Sequence, residues 1–515
     1  MNTKQSLFNA VGIAVLAAMM THLAFGAAKT ETPNIILILA DDMGIDSIQA
    51  LNGKSGIPTP HLDRLLTQGI HFTDAHSGSA VCTPTRYGVL TGRYAWRSRL
   101  KKSIVRQWER PLIEKDRLTL PGMLKKKGYN TACIGKWHLG WDWPKKGGGF
   151  TEKMKEIDFS EKIEGGPAGC GFDYYFGDDV PNWQPFVWIE NGRMLGVPNK
   201  QLSFASHYHS GKGIGVEGWD LEAVLPKITE KSVEYINQQA ETKQPFFLYF
   251  SMTSPHTPIA PSKPFQGKSG ISRYADFLME TDWCVGQIMK ALKDRGIADN
   301  TLLIFTADNG TSPKCNFTEL REKRTDLQNH WRGMKADAFE GGHRVPFIVS
   351  WPGHIKPGSK SDQTISLVDI MATCADAVAL TLSDSAAEDS VSLMPVLKGE
   401  DIATPLHEAV ICHSISGVFV VRKGKWKLQY SAGSGGLSLP KDKNAKKKGL
   451  PTWQLYDLSS DPKETNNLIN GHQEIVKDLT AILRRYIENG RSTPGTPQKN
   501  HNEAIWWPGL PWTKN

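Results

Sequence analysis

The run Ile35-Ile-Leu-Ile-Leu-Ala-Asp41-Asp42 decides the architecture of this 515-residue chain. Six consecutive apolar residues cannot belong to a strand with one wet face, because such a strand alternates. A strand covered on both faces has no reason to alternate. The run therefore reads as an interior strand of a parallel sheet, and it stops abruptly on two carboxylates. The same design recurs. Residues 131–134 lead into Gly135-Lys136-Trp-His138, residues 244–251 into Pro255-His256, and residues 301–306 into Asp308-Asn309. Helical segments fall between these runs: 61–68 closed by Gly69, 120–127 closed by Gly128, and 271–296, with Phe277, Leu278, Val285, Ile288, Met289 and Leu292 at helical spacing. Strands alternating with helices predict a doubly wound α/β domain, a large mixed or parallel sheet flanked by helices. Ligands bind beyond the carboxyl ends of such strands, so four polar strand ends are expected to share one site.

Working outward, the amino-terminal 26 residues read as an export signal, with Lys4 before an apolar run at 11–20 and small residues Ala24 and Gly26 ahead of a cleavage point after Gly26. The run is short for a membrane span, no cysteine follows it to carry a lipid, and the chain is expected to be exported to the periplasm or beyond without stable membrane insertion. The catalytic domain is assigned to 27–400. A Gly- and Trp-rich stretch at 141–220 reads as an irregular excursion, not a core element. From 401 to 515 the texture changes to a smaller α+β subdomain, with a hairpin around Lys423-Gly424, a charged loop at 441–448, a strand at 453–458 and a terminal helix at 475–487.

A net charge of +8 over this length lacks the clustered basicity of a nucleic-acid binder. It is compatible with a polyanionic substrate. The seven cysteines (82, 133, 170, 284, 315, 374 and 412) show no zinc spacing. An exported chain can form disulfides, and an odd count leaves at least one thiol over. Cys133 and Cys374 sit in apolar contexts and read as core residues.

One segment is far more specific: Cys82-Thr-Pro84-Thr-Arg86-Tyr-Gly-Val-Leu-Thr91-Gly92-Arg93. Six fixed residue types at these offsets match by chance roughly once in 10^8 positions. A buried cysteine before a proline-started helix accounts for Cys82 and Pro84 but not for Thr-Gly-Arg. Pro84 suits the first turn of a helix, which puts residue 82 near a helix N-terminus, where an anion is favoured. The segment resembles the type I sulfatase signature of the alkaline phosphatase superfamily. Further motifs follow in that family's order: Asp41-Asp42, Gly135-Lys-Trp-His-Leu-Gly140, Pro255-His256-Thr-Pro258, Asp308-Asn309-Gly310, and Lys335 before Glu340-Gly-Gly.

The resemblance implies a sulfuric ester hydrolase in which a dedicated maturase converts Cys82 to formylglycine (3-oxoalanine). The hydrated aldehyde would carry two hydroxyls on one carbon, one to attack sulfur and one to collapse the adduct. A plain hydroxyl or thiol would need separate activation. Asp41, Asp42, Asp308 and Asn309 are hard oxygen donors that suit calcium or magnesium and not zinc. The resemblance favours one Ca2+, with residue 82 as a further ligand. It also implies that Arg86 and His138 hold the hydrate, Lys136 and Lys335 contact sulfate, and His256 protonates the leaving alcohol. His343, in Gly-Gly-His-Arg, receives no role.

For the substrate, Asp178, Asp179 and Trp183 within the excursion, His209, and His413 after a C-terminal strand are candidates to hold a sugar. Carboxylates accept from hydroxyls, and tryptophan stacks on a pyranose face. The general look resembles secreted bacterial polysaccharide sulfatases. It implies exo-action on a glycosaminoglycan or marine glycan, with a 6-O-sulfated N-acetylgalactosamine or galactose as the unit. Two alternatives remain: a phosphate or phosphonate monoester hydrolase of the same superfamily, and a non-catalytic glycan-binding protein on this scaffold.

Overall fold

A seven-residue strand with every position buried, β1 (Asn34–Ala40), occupies the middle of the principal sheet in the computed structural model, which describes residues 32–501, 507 and 509–513. The export signal expected over 1–26 lies outside the described residues. The remaining strands are β2 (Ile70–His76), β3 (Asn130–Gly135), β4 (Tyr174–Gly177), β5 (Ile189–Glu190), β6 (Arg193–Met194), β7 (Lys200–Leu202), β8 (Gly213–Gly215), β9 (Phe246–Ser251), β10 (Thr301–Ala307), β11 (Phe347–Ser350), β12 (Ser359–Ser366), β13 (Val410–His413), β14 (Phe419–Lys423), β15 (Trp426–Gln429) and β16 (Gln454–Asp457). The ten-stranded sheet runs β12-β2-β11-β10-β1-β9-β3-β4-β5-β6. Its centre, from β10 through β4, is parallel. β11 runs antiparallel to both of its neighbours. The sheet is thus large, mixed and flanked by helices, as the apolar runs imply. Helices Val224–Gln239 and Arg273–Asp294 carry buried stripes against it.

Two expectations are corrected. The excursion at 141–220 is not wholly outside the core, because β4 within it extends the parallel sheet beside β3. Tyr174-Tyr-Phe-Gly177 is too short to declare a period, and only pairing along β3 reveals it as a strand. The stretch expected as a charged loop at 441–448 contains the short helix Asp442–Lys447. All seven cysteines are buried and free, so the odd count carries no information about Cys82. Among the described residues, no helix is long and apolar enough to cross a membrane.

β13-β14-β15-β16 form a second, antiparallel sheet, against which helix Gln473–Glu488 packs Leu479, Ile482, Leu483 and Tyr486. From Pro33 onward the chain forms one compact unit. The two sheets meet over a buried ionic cluster. Glu340 Oε2 accepts from Arg344 Nε at 2.9 Å and from Arg422 Nη1 at 2.8 Å. Lys427 Nζ bridges Glu340 Oε1 at 3.2 Å and Glu464 Oε1 at 2.7 Å, with all three side chains fully enclosed. Asp74 pairs with Arg344 and Arg422, and His76 contacts Asp74 at 2.9 Å and His343 at 3.0 Å.

Candidate active site

The carboxyl ends of β1, β3, β9 and β10 converge, and their backbones are stitched together there. Asp41 N–H donates to Ser254 O, Asp308 N–H to Ala40 O, and Lys136 N–H to Ser251 O, at 2.8–3.0 Å. Gly135 has φ 109°, and a Cβ there would stand 1.9 Å from Ser251 O, so the turn from β3 into Lys136 demands glycine. Asp42 and His138 also occupy the left-handed region, at φ 64° and 55°. Such backbone is uncommon outside glycine and aims both side chains inward.

Cys82 is the first residue of helix Cys82–Thr91, every residue of which is buried. The second half of the motif closes this helix. Gly92, left-handed at φ 62°, caps it by donating to Gly88 O, and Arg93 returns to Tyr87 Oη at 3.1 Å. Thr-Gly-Arg is therefore structural: it fixes the helix whose N-terminus presents residue 82.

Around that N-terminus three buried carboxylates meet three cations, of which Arg86 and Lys136 are fully enclosed and Lys335 is partly exposed. Asp41 Oδ2 accepts from Lys136 Nζ at 2.6 Å and lies 3.6 Å from Arg86 Nη2. Asp308 Oδ2 accepts from Arg86 Nη2 at 2.8 Å, and its Oδ1 from Asp42 N–H at 3.0 Å. Lys335 Nζ donates to Asp42 Oδ2 at 2.7 Å, and Asn309 Nδ2 to Asp42 Oδ1 at 2.7 Å. Burial alone would raise the Asp41 carboxyl, but Lys136, His256, Arg86 and Lys335 together hold it well below the usual range. Burial and the charge of Asp41 push Asp308 upward.

These residues fit a hard cation. Asp41 Oδ1 and Asn309 Oδ1 are buried with no hydrogen-bond partner, an expensive arrangement unless something else is bound there. One atom each of Asp41, Asp308 and Cys82 lie within 4.8 Å of one another, as do those of Asp41, Asp42 and His256. Oxygen donors dominate the set, which favours calcium or magnesium chemistry.

The two histidines have defined tautomers. His138 Nε2 faces Val105 O at 3.1 Å and must donate to it, which leaves Nδ1 as a bare, unpartnered lone pair. Burial and the charge of Lys136 keep this ring neutral. His256 Nδ1 donates to Thr257 O at 2.5 Å, and its Nε2 looks toward Asp42 Oδ2 at 3.6 Å. Burial and then Lys335 bring its pKa down to about 4.

Ten sequence-assigned residues thus come together: Asp41, Asp42, Cys82, Arg86, Lys136, His138, His256, Asp308, Asn309 and Lys335. Asp178 and Asp179 lie at the end of β4, a fifth strand end. Asp179 braces the site: its O accepts from Trp137 N–H at 3.0 Å and its Oδ1 from His138 N–H at 3.1 Å. Trp183 meets the His138 ring edge-on at 5.1 Å. His209 is exposed on a loop whose neighbours touch both sides of the site, through Ile259 N–H to Tyr208 O at 2.9 Å and Gly211 N–H to Asn182 O at 3.2 Å. His413 is placed differently. Its ring is buried edge-on against Phe419, and its main chain is what reaches the site, pairing with Gly78 and Ala80 just before Cys82. Sequence reasoning missed Ser251, whose hydroxyl takes the Arg86 guanidinium and donates to Lys136 O at 2.6 Å. Its only signal was its place at a strand end.

The Sulfatase family model matches residues 33–380. The N-acetylgalactosamine-6-O-sulfatase of Bacteroides thetaiotaomicron is 33% identical over 498 residues, covering 88% of this chain and 93% of that protein. The human N-acetylgalactosamine-6-sulfatase is 31% identical, covering 91% and 88%. A solved structure from the metabolism of multiple glycosaminoglycans by Bacteroides thetaiotaomicron superposes with a TM-score of 0.76 at 31% identity, covering 88% of this chain and 99% of that one.

Proposed function

Since this chain belongs to the sulfatase family and is a sulfuric ester hydrolase, we propose that it is exported and removes a 6-O-sulfate from an N-acetylgalactosamine or galactose unit of a sulfated glycan. The nucleophile is a formylglycine made from Cys82 by a maturase. The observation that carries the chemistry is the pocket of open valences at the head of helix Cys82–Thr91: unpartnered Asp41 Oδ1, Asn309 Oδ1 and His138 Nδ1 around residue 82. The likeness to two N-acetylgalactosamine-6-sulfatases over most of the chain supports the sugar and position.

The chemistry follows from the donors. Asp41, Asp42, Asp308 and Asn309 would hold one Ca2+, which when bound supplies positive charge to sulfate oxygens and acidifies the hydroxyl of residue 82. Charge accounting agrees. Three carboxylates offset Arg86, Lys136 and Lys335, so a dication leaves the pocket at about +2 for a sulfate monoester and an ionised nucleophile. One hydroxyl of the hydrated aldehyde attacks sulfur, and the bond to the sugar oxygen breaks. Lys136 and Lys335 stand where charge develops on the sulfuryl oxygens. His256 delivers a proton to the leaving alcohol from Nε2; an incoming sulfate offsets Lys335, which opposes that protonation. His138, with Nδ1 as its one lone pair, then takes the proton of the second hydroxyl. The carbon–oxygen bond to sulfate breaks, the aldehyde re-forms and sulfate leaves.

The test uses enzyme whose formylglycine content is verified by mass, assayed against a panel of defined sulfated mono- and disaccharides. Turnover of 6-O-sulfated N-acetylgalactosamine or galactose is expected at the non-reducing end. Activity confined to other positions would overturn the substrate reading. A large kcat/KM preference for an aryl phosphate over the matched aryl sulfate would overturn the reaction itself.

A further inference from the structure

Asp178 is a carboxylate that the chemistry above does not use. The register of β4 against β3 pairs Ile134 with Phe176, and two residues further along sets Asp178 beside Lys136. The two chains are still joined there, by Trp137 N–H to Asp179 O at 3.0 Å. Asp178 is only 4% exposed, yet neither of its carboxyl oxygens has a hydrogen-bond partner. The Lys136 ammonium donates to Asp41 at 2.6 Å and makes no hydrogen bond to Asp178. Burial, then the adjacent Asp179, pushes the Asp178 carboxyl up to about 7.

An enclosed carboxyl with both oxygens bare is costly unless an external group completes it. Four residues on, Asn182 has a bare Oδ1 as well, and Trp183 stands against the catalytic His138. The stretch that runs from beside Lys136 to the His138 ring thus carries, on Asp178 and Asn182, acceptors that lack donors. Hydroxyl and amide N–H groups complete such acceptors. A sulfate group does not complete the ionised carboxylate, since it brings only acceptors and another negative charge, and the contrast is therefore read above pH 7, where Asp178 is ionised.

We propose that Asp178 is a specificity-determining residue that admits a sugar carrying free hydroxyls beside the scissile sulfate and rejects one carrying a second sulfate there. This rests on the reading of the substrate as a sulfated sugar. It extends that reading from which sulfate is removed to which neighbours the site tolerates.

The experiment compares kcat/KM for 6-O-sulfated and 4,6-di-O-sulfated N-acetylgalactosamine, using formylglycine-verified wild type, Asp178→Asn and Asp178→Ala. Because the readout is a ratio on one preparation, differences in folded or matured fraction cancel. Wild type is expected to favour the monosulfated sugar by about 10^2-fold, a size that like-charge contact in an enclosed site readily reaches. Asp178→Asn, which keeps the shape and adds an N–H donor, should cut that ratio to within about tenfold, and Asp178→Ala should cut it similarly. If both variants lower the two rates in proportion and leave the ratio at its wild-type value, Asp178 is a structural turn residue and the proposal is overturned while the substrate reading stands. A wild-type enzyme that turns over both sugars equally would also overturn it. If wild type cleaves neither of these sugars nor 6-O-sulfated galactose but does cleave an aryl sulfate, the substrate reading fails first and takes this proposal with it.

Discussion

Two buried clusters in this molecule have nearly the same inventory and opposite purposes. Below Cys82, Asp41, Asp42 and Asp308 meet Arg86, Lys136 and Lys335, with His138 and His256 alongside. Between the two sheets, Asp74, Glu340 and Glu464 meet Arg344, Arg422 and Lys427, with His76, His343 and Cys412 alongside. Each has three carboxylates, three cations, two imidazoles and a cysteine. They differ in how their valences are filled. In the joint between the sheets the two carboxylate oxygens that lack an aligned hydrogen bond, Glu340 Oε1 and Glu464 Oε1, both face the Lys427 ammonium, at 3.2 and 2.7 Å. In the active site Asp41 Oδ1, Asn309 Oδ1 and His138 Nδ1 are left bare. Charge count does not separate a site from a brace; what sets the first cluster apart is that its bare acceptors gather around residue 82 at a helix N-terminus.

The sharpest way to break the comparison is at the two cysteines. Cys82→Ala is expected to lower kcat/KM by about 10^4-fold or more, as loss of a covalent nucleophile does. It should cost no more than about 1 kcal/mol of stability, because only one buried sulfur is removed. Cys412→Ala should have the same small stability cost and no comparable loss of rate. Retained turnover in the Cys82 variant would remove the covalent mechanism.

A chelator distinguishes the clusters next. Removing divalent cations should lower activity by about 10^3-fold, the several kcal/mol a Lewis acid supplies, and calcium should restore it. Calcium at a hundred times its Kd should also stabilise the fold by about 2.7 kcal/mol. Asp41→Asn should abolish that calcium-dependent rise in Tm, whereas Glu340→Gln should leave it intact. A Tm indifferent to calcium in the wild type would count against the cation site.

The two clusters were also unequally legible in the sequence. The active site is announced because seven of its ten contributors follow an apolar strand run within a few residues: Asp41 and Asp42 after β1, Lys136 and His138 after β3, His256 after β9, Asp308 and Asn309 after β10; Cys82, Arg86 and Lys335 were legible only through the motif at 82–93 and its family resemblance. The sheet then brings the strand ends together, so reading the strands was enough to read most of the site. Asp178 follows the same rule, but β4 is only four residues long and hid inside a Gly- and Trp-rich stretch, so its core position emerged from pairing alone. Ser251 looked like the end of a strand and nothing more. The second cluster draws on residues from 74 to 464, on both sheets, with no shared motif. His343 was visible only as an unexplained histidine, and Arg422 and Lys427 read as ordinary polar positions of a hairpin. Long-range ionic contacts leave no local period, and nothing short of the packed structure assembles them. His413 shows the converse error. Its place at a strand end was legible, although it is the last residue of β13 and not beyond it; which way its ring points depends on Phe419.

Stability is where the second cluster should answer more strongly than the first. Glu340→Gln leaves Arg344, Arg422 and Lys427 short of a shared counter-charge in a fully enclosed space. Breaking one partner of a buried ionic group costs about 3–5 kcal/mol, and urea unfolding should register a loss of that size. Turnover per folded molecule, measured well below the melting transition, should fall much less. An unfolding free energy within about 1 kcal/mol of wild type would show that the joint is dispensable.

The smallest effect concerns the two histidines of that joint. Burial lowers the pKa of both His76 and His343, further for His343, where Lys427 adds to it. In the unfolded chain both titrate near 6.5. Above that pH neither state binds the protons and stability is unaffected. As the pH falls below about 6.5 the unfolded chain takes up protons that the folded one refuses, so stability drops, by at most about 1.4 kcal/mol per pH unit for each histidine. His343→Gln keeps a polar side chain of similar reach but cannot titrate. Its unfolding free energy, measured in urea from pH 7.5 to 5, should fall less steeply with acid than the wild type's, by up to one histidine's share. Equal slopes would mean that His343 is protonated in the folded joint, sharing its proton with His76 across their 3.0 Å contact. The cluster would then carry four positive groups against three negative.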